Sequence, residues 1–252
     1  MAAGGEGMTA AAAAPGARRL CLVVAAAGYG LRAGGLGPKQ YIPLLGIPML
    51  QRTLEALDSC AAVDALVVVV NPEHVEFCER ELVAERFNKV AAVVAGGAER
   101  ALSVRNGLDA VRELAGGFRY LGVHDGARPF VPCADVERLV ARLDSDAFLD
   151  GAVLAVPSTD TVKLLGDDGL VAATPARVRA WRAQTPQIFR SAALLAAYAQ
   201  AEDVLAAATD DSSLVEARGG RVALVEGSAE NIKITTPLDL LVAERILTDR
   251  RR

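Results

Sequence analysis

Five glycines and two cations fall within residues 28–39: Gly28, Gly30, Gly34, Gly35 and Gly37, with Arg32 and Lys39. Glycine lets a backbone approach a ligand closely and take positive φ. Successive backbone N–H groups in such a loop form a concavity that binds anions. Arg32 and Lys39 add fixed positive charge, and the apolar run Leu20–Ala26 in front reads as a buried strand. The segment therefore reads as a phosphate cradle at a strand end. Two other phosphate loops are excluded. Residues 28–33 fit the bare G-x-G-x-x-G/A dinucleotide pattern, but that fingerprint needs a helix to open inside it. Here Gly34, Gly35, Gly37 and Pro38 oppose a helix. The Walker loop needs Gly-Lys-Ser/Thr, and this chain has Gly37-Pro38-Lys39-Gln40. A plain glycine hinge would not explain the two cations.

Three further segments carry candidate chemistry. His124-Asp125-Gly126-Ala127-Arg128-Pro129 follows an apolar run. A carboxylate at a strand end beside a phosphate loop suits Mg²⁺, which favours one or two carboxylates plus substrate phosphates. Asp125 reads equally well as the cap of an Asp-Gly turn. His124 reads as a packed residue rather than a catalyst, and His74 is the sole other histidine, so a histidine mechanism has little support. Gly96-Gly97-Ala98-Glu99 leads to Ser103; these small residues can face a ribose or base, or simply start a helix with Glu99 favourable at its N-terminus. Lys233, in Asn231-Ile232-Lys233, reads as a solvated lysine or a second phosphate cation, and Thr236-Pro237 as a helix start.

The elements that must hold these residues alternate. Strand patterns at 20–26, 65–70, 90–95, 120–124, 152–156 and 221–226 are interleaved with helical patterns at 48–57, 72–86, 99–114 and 134–143, and a last helix begins at Pro237. This βαβα rhythm predicts a mostly parallel sheet with helices on both faces. Such sheets bind ligands at the carboxyl ends of their strands. From 157 to about 189 the rhythm breaks into short polar pieces around a Gly166-Asp167-Asp168-Gly169 turn, which reads as a hairpin arm. No linker divides residues 20–250, which are expected to form one domain with an arm at about 157–187. Residues 1–19, mostly Ala and Gly, read as a disordered extension, with Met8 an alternative start.

Bulk properties narrow the partners. The chain has 252 residues, 52% of them hydrophobic, and a formal net charge of −4, so no global basic field draws nucleic acid. Apolar stretches are strand-sized, too short for a membrane span. The four cysteines (Cys21, Cys60, Cys78, Cys133) have no C-x-x-C spacing, which argues against zinc or a disulfide framework and fits a cytoplasmic location.

Taken together the motifs resemble one family. Ala25-Ala26-Ala27-Gly28-x-Gly30-x-Arg32 with Pro38-Lys39-Gln40-Tyr41, Gly96-Gly97-x-x-Arg100-x-x-Ser103-Val104, His124-Asp125-x-Ala127-Arg128-Pro129, Asp160-Thr161-x-Lys163, Thr185-Pro186-Gln187-x-Phe189, Thr209-Asp210-Asp211 and Asn231-Ile232-Lys233 are similar, in order, to the 2-C-methyl-D-erythritol 4-phosphate cytidylyltransferases of non-mevalonate isoprenoid synthesis. The resemblance spans about residues 20–248. It implies a three-layer α/β, Rossmann-like, glycosyltransferase-A-type nucleotidyltransferase sheet with a protruding β-hairpin arm. It also implies a homodimer in which the arm reaches the partner subunit, and Mg²⁺ as cofactor. Arg32 and Lys39 would then stabilise charge at the α-phosphate of CTP, and Asp125 would hold the metal. The loop around Ala26, Ala27 and Gly28, together with Gly97, Ser103 and Gly126, would face the nucleoside. Thr161, Arg177 and Lys233 would hold methylerythritol phosphate, with Arg179 the competitor to Arg177 should the register slip, and Arg128 would order the site. Two departures stand out: Gly126 replaces the more usual Ala and can loosen its turn, and Ala98 replaces an acidic residue, removing a ribose contact.

The implied reaction is attack of the substrate phosphate on the α-phosphorus of CTP with loss of pyrophosphate and no covalent enzyme intermediate. A ribitol-5-phosphate cytidylyltransferase is the nearest alternative, and a nucleotide-binding protein without turnover is another. The length fits a chain with no second pathway enzyme fused to it.

Overall fold

The computed structural model describes residues 19–28 and 39–250. The extension read over 1–19 lies outside the described residues except for Arg19, and the glycine loop lies outside them from Tyr29 to Pro38.

Seven strands form one sheet: β1 Leu20–Ala26, β4 Ala65–Val70, β5 Val90–Ala95, β6 Tyr120–Asp125, β7 Gly151–Pro157, β10 Trp181–Arg190 and β11 Val222–Glu226, in the order β11-β7-β10-β6-β1-β4-β5. Two small pairs stand apart, β2 Pro43–Leu44 with β3 Ile47–Pro48, and β8 Leu164–Leu165 with β9 Val171–Ala173. The helices are α1 Met49–Asp58, α2 Val75–Phe77, α3 Arg100–Arg112, α4 Cys133–Ser145, α5 Ser191–Tyr198, α6 Glu202–Ala207, α7 Asp211–Glu216 and α8 Pro237–Arg250.

The near-continuous apolar strands are those of a sheet covered on both faces. Alternation sends Leu20, Leu22 and Val24 of β1, with Leu66, Val68 and Val70 of β4, into a core closed by α1 and α4. Cys21 and Val23, with Val67 and Val69, enter a second core closed by α3, α5 and α7. This is the expected three-layer arrangement. At Gly107 a Cβ would lie 2.5 Å from Val23 Cγ1 and 2.8 Å from Val69 Cγ2, so glycine lets α3 sit directly on the sheet. A third cluster (Leu44, Met49, Ala127, Phe130, Ile234, Ala243) anchors α8 beside the segment that follows β6.

Three expectations need correction. The first concerns 157–189, read throughout as an excursion. The excursion is real over the β8–β9 hairpin, but the chain then re-enters the sheet as β10, antiparallel to both β6 and β7. Its polar residues hid it. Gln184, Thr185 and Gln187 are buried because their side chains are bonded: Gln184 Nε2 donates to Ser228 O at 2.9 Å, and Gln187 Nε2 to Asp210 Oδ2 at 2.8 Å. The second concerns 72–86, which is helical but irregular: a 3₁₀ turn at Pro72–His74, α2, then a π turn at Cys78–Val83. The third concerns cysteine. Cys60 and Cys133 form a disulfide, with Cα atoms 5.1 Å apart across 73 residues of sequence. Spacing rules register neighbours in sequence, whereas here the fold brings the end of α1 to the start of α4. Cys21 and Cys78 are free and buried.

Candidate active site

The carboxyl ends of β1, β5 and β6 open onto a cleft of about 680 Å³. Ala25, Ala26, Ala27 and Gly28 form one wall, Gly96 to Arg100 with Ser103 another, and Asp125, Gly126, Ala127, Lys233 and Thr235 a third. Eight residues singled out from the sequence therefore meet here: Ala26, Ala27, Gly28, Gly97, Ser103, Asp125, Gly126 and Lys233. The Ser103 hydroxyl is already engaged in the turn between β5 and α3, accepting from Gly97 N at 3.0 Å and donating to Glu99 O at 3.0 Å. Gly126 does not loosen its turn. Its N–H donates to Ala25 O at 2.9 Å and its carbonyl accepts from Thr53 Oγ1 at 2.9 Å. A Cβ there would stand 2.8 Å from Ala26 Cβ, so glycine lets the β1 and β6 ends close together.

Asp125 ends β6 with its carboxylate among three cations. Oδ2 receives Arg128 Nε at 3.0 Å and Lys233 Nζ at 3.1 Å, and Arg100 Nη2 stands 3.4 Å from Oδ1. Burial alone would raise this carboxyl. Lys233, Arg100 and Arg128 outweigh it and hold Asp125 ionised, well below the usual carboxylate range. Its backbone N–H donates to Thr185 Oγ1 at 2.9 Å. Arg128 stands behind the carboxylate rather than in the cleft wall, and is fixed by donating to Asn231 O at 2.8 Å. Asn231 Nδ2 in turn donates to Thr185 O at 2.8 Å. Three separate sequence motifs thus lock around one carboxylate.

His124 is fully buried, and burial pushes its pKa down to about 4. As a neutral ring, Nε2–H donates to Arg128 O at 3.1 Å and Nδ1 accepts from Thr185 Oγ1 at 3.1 Å. It orders the strand end, as the reading of a packed histidine expects.

A second cluster had no role in the sequence. Asp211 is 0% exposed and accepts from Arg100 Nη1 at 3.1 Å and Nη2 at 2.9 Å. Tyr198 Oη donates to the same carboxylate at 2.5 Å. Arg100 and Asp211 both stood in quoted motifs, yet a separation of 111 residues gives no hint that they pair. Tyr198 lay in a helical stretch after residue 189 that carried no motif.

Thr161 and Arg177 meet on the excursion, Arg177 Nη2 donating to Thr161 Oγ1 at 3.2 Å. Both are exposed, and neither lines the cleft of its own chain. Arg32 and the Lys39 side chain lie outside the described residues. Among the described residues no three His, Cys, Asp or Glu side chains gather into a metal cluster. That excludes a cage of protein ligands there, but a single ionised carboxylate at a cleft with room for substrate phosphates is the donor set Mg²⁺ accepts. No helix of the described residues is long and apolar enough to cross a membrane.

A mostly parallel three-layer sheet, a nucleotide-sized cleft at its carboxyl ends and an acidic residue ringed by cations are parts that nucleotidyl transfer requires. The model of the family described as IspD, 2-C-methyl-D-erythritol 4-phosphate cytidylyltransferase, matches residues 20–249. The chain belongs to that family. It is 44% identical over 230 residues to the 2-C-methyl-D-erythritol 4-phosphate cytidylyltransferase of Geobacter metallireducens, covering 90% of this chain and 97% of that one. The protein of the same name from Pelotomaculum thermopropionicum is 45% identical over 235 residues, covering 92% and 96%. Among solved structures, the Anaerococcus prevotii 4-diphosphocytidyl-2C-methyl-D-erythritol synthase superposes with a TM-score of 0.77 at 29% identity, covering 92% of this chain and 97% of that one. The Francisella tularensis IspD gives 0.74 at 31% identity, covering 90% and 99%.

Proposed function

We propose that this chain transfers the cytidylyl group of CTP to 2-C-methyl-D-erythritol 4-phosphate, giving 4-diphosphocytidyl-2-C-methyl-D-erythritol and pyrophosphate. Family membership supports the reaction. The observation that carries its mechanism is the ionised Asp125 carboxylate facing the cleft with Arg100, Arg128 and Lys233 around it.

Two polyanions must come together, so the barrier is chiefly electrostatic and positional. Ala26, Ala27, Gly28, Gly97, Ser103 and Gly126 present small side chains or bare backbone, which suits close approach of the nucleoside. Arg32 and Lys39 are assigned to the α-phosphate, where negative charge grows during transfer. Thr161, Arg177 and Lys233 are assigned to the phosphate of the second substrate, with Arg128 ordering the Asp125 carboxylate, which Lys233 also contacts. Asp125 would hold Mg²⁺, which neutralises phosphate charge when bound. The substrate phosphate is itself the nucleophile, so no acid–base residue is needed, in keeping with a buried neutral His124.

The exposed Thr161–Arg177 pair supports a homodimer in which the arm of one protomer completes the cleft of its partner. We assign the reaction to the cytoplasm on the availability of CTP alone, since the Cys60–Cys133 disulfide removes the cysteine argument for that location. Pyrophosphate release with CTP and, in parallel, methylerythritol phosphate or ribitol 5-phosphate tests the reading. Release with methylerythritol phosphate alone is expected. Release with ribitol 5-phosphate alone, or with neither, refutes it.

A further inference from the structure

The cleft wall contains four uncharged polar side chains among the described residues: Gln40, Asn71, Ser103 and Thr235. Three are hydrogen-bonded within the protein. Asn71 Oδ1 accepts from Glu73 N at 2.9 Å, Ser103 is held by Gly97 and Glu99, and Thr235 Oγ1 donates to Asp239 Oδ2 at 2.9 Å. Gln40 differs. It is 2% exposed, yet neither Nε2 nor Oε1 has a hydrogen-bond partner among the described residues. A buried amide left unmet on both atoms is costly and rare in native proteins. Nor is it a loose side chain that happens to fall inward. Gln40 sits in a single 3₁₀ turn, Lys39–Tyr41. Tyr41 beside it is wedged edge-on against His74 and Phe77, with ring centroids 5.2 and 5.4 Å away. The following β2–β3 pair is packed through Leu44 into the third core cluster. The turn is fixed, and it holds Gln40 in the cleft wall.

We infer that the Gln40 carboxamide is a substrate-binding group that meets a hydroxyl of a bound substrate. The cleft's cations serve the phosphates. An uncharged group offering one acceptor oxygen and donor N–H bonds is matched by an uncharged group that both donates and accepts, and a hydroxyl does so. The inference rests on the proposed reaction, whose two substrates both carry hydroxyls: the ribose of CTP and the polyol of methylerythritol phosphate.

Gln40→Met keeps the unbranched reach of the side chain and removes both carboxamide atoms. Calorimetry reads binding of CTP, 2′-deoxy-CTP and 3′-deoxy-CTP to the wild-type chain and the variant, and steady-state assays at saturating CTP read KM for methylerythritol phosphate. The ligand-free variant melts at or above the wild-type temperature, because two unmet polar atoms are gone. It binds the hydroxyl-bearing substrate about tenfold more weakly, the scale of one lost hydrogen bond. A loss for CTP that vanishes with one deoxynucleotide assigns the contact to the ribose; a loss in KM for methylerythritol phosphate alone assigns it to the polyol. Unchanged affinity and KM, an equal loss for every ligand, or a lower ligand-free Tm overturns the inference. Should the wild-type chain release no pyrophosphate, the proposed reaction fails, while the calorimetric arm still decides whether Gln40 binds a nucleotide.

Discussion

Asp125 is the residue on which the site turns, and its surroundings show what single positions reveal. An Asp after a buried strand and before a glycine was legible as a candidate metal ligand because strand ends are where such sheets bind. Its choice between that role and a plain turn cap was not legible, because it depends on Arg100 and Lys233, which are remote in sequence. The Lys39 assignment gives the sharpest test of a single cation. Lys39→Ala should lower kcat by roughly 10²- to 10³-fold, as for loss of one transition-state donor; near-normal turnover at saturating substrates would sink the assignment. His124 makes a prediction about acid stability. Its pKa is about 4 folded, against about 6.5 for a free imidazole, so below about 6.5 the unfolded chain takes up a proton that the native ring refuses. Stability contributed by the buried neutral ring is complete above that range and is lost as pH falls toward 4, on the order of 3 kcal/mol in all. Thermal melts in EDTA from pH 7 to 4 should show the decline, and His124→Gln should reduce its slope.

At the scale of elements, the parallel strands and the helices between them were readable because each is a long apolar run of a single period. β10 was not. Gln184, Thr185 and Gln187 look like loop residues, and they become strand residues only because Ser228, Asn231 and Asp210 arrive from later in the chain to satisfy them. The same holds for α7, whose Asp210 caps the helix through Ser213 N at 2.9 Å while Asp211 turns inward to Arg100. This clamp links α7 to α3 and so to the carboxylate at the end of β6. Asp211→Asn should cost about 3 kcal/mol, the low end for breaking a buried pair because Arg100 is partly exposed. Chemical denaturation measures it. Replacing both partners with apolar residues, Arg100→Met with Asp211→Leu, should recover most of that stability without recovering pyrophosphate release. Recovery of both would leave the clamp a purely structural role.

For the whole molecule, the cleft of one chain brings together the nucleotide-facing residues and Lys233 but leaves Thr161 and Arg177 on the excursion. If arms are exchanged in a homodimer, each site draws Arg177 from one protomer and Lys233 from the other. Arg177→Ala and Lys233→Ala, each inactive alone, should then regain about a quarter of wild-type activity when mixed and allowed to exchange subunits, since half the dimers are mixed and each has one intact site. No recovery after verified exchange places each site within a single chain. The excursion was legible as an arm because its short polar pieces around Gly166 and Gly169 break the rhythm; which subunit's cleft it serves is a property of assembly.

Transfer of the cytidylyl group is followed directly through the α-phosphorus. CTP labelled at the α-phosphate is incubated with the chain, Mg²⁺ and methylerythritol phosphate, and the products are separated. The label should pass into diphosphocytidyl-methylerythritol, with unlabelled pyrophosphate released in equal amount and no label on the protein. Label remaining in CTP, or bound covalently to the chain, would contradict the account.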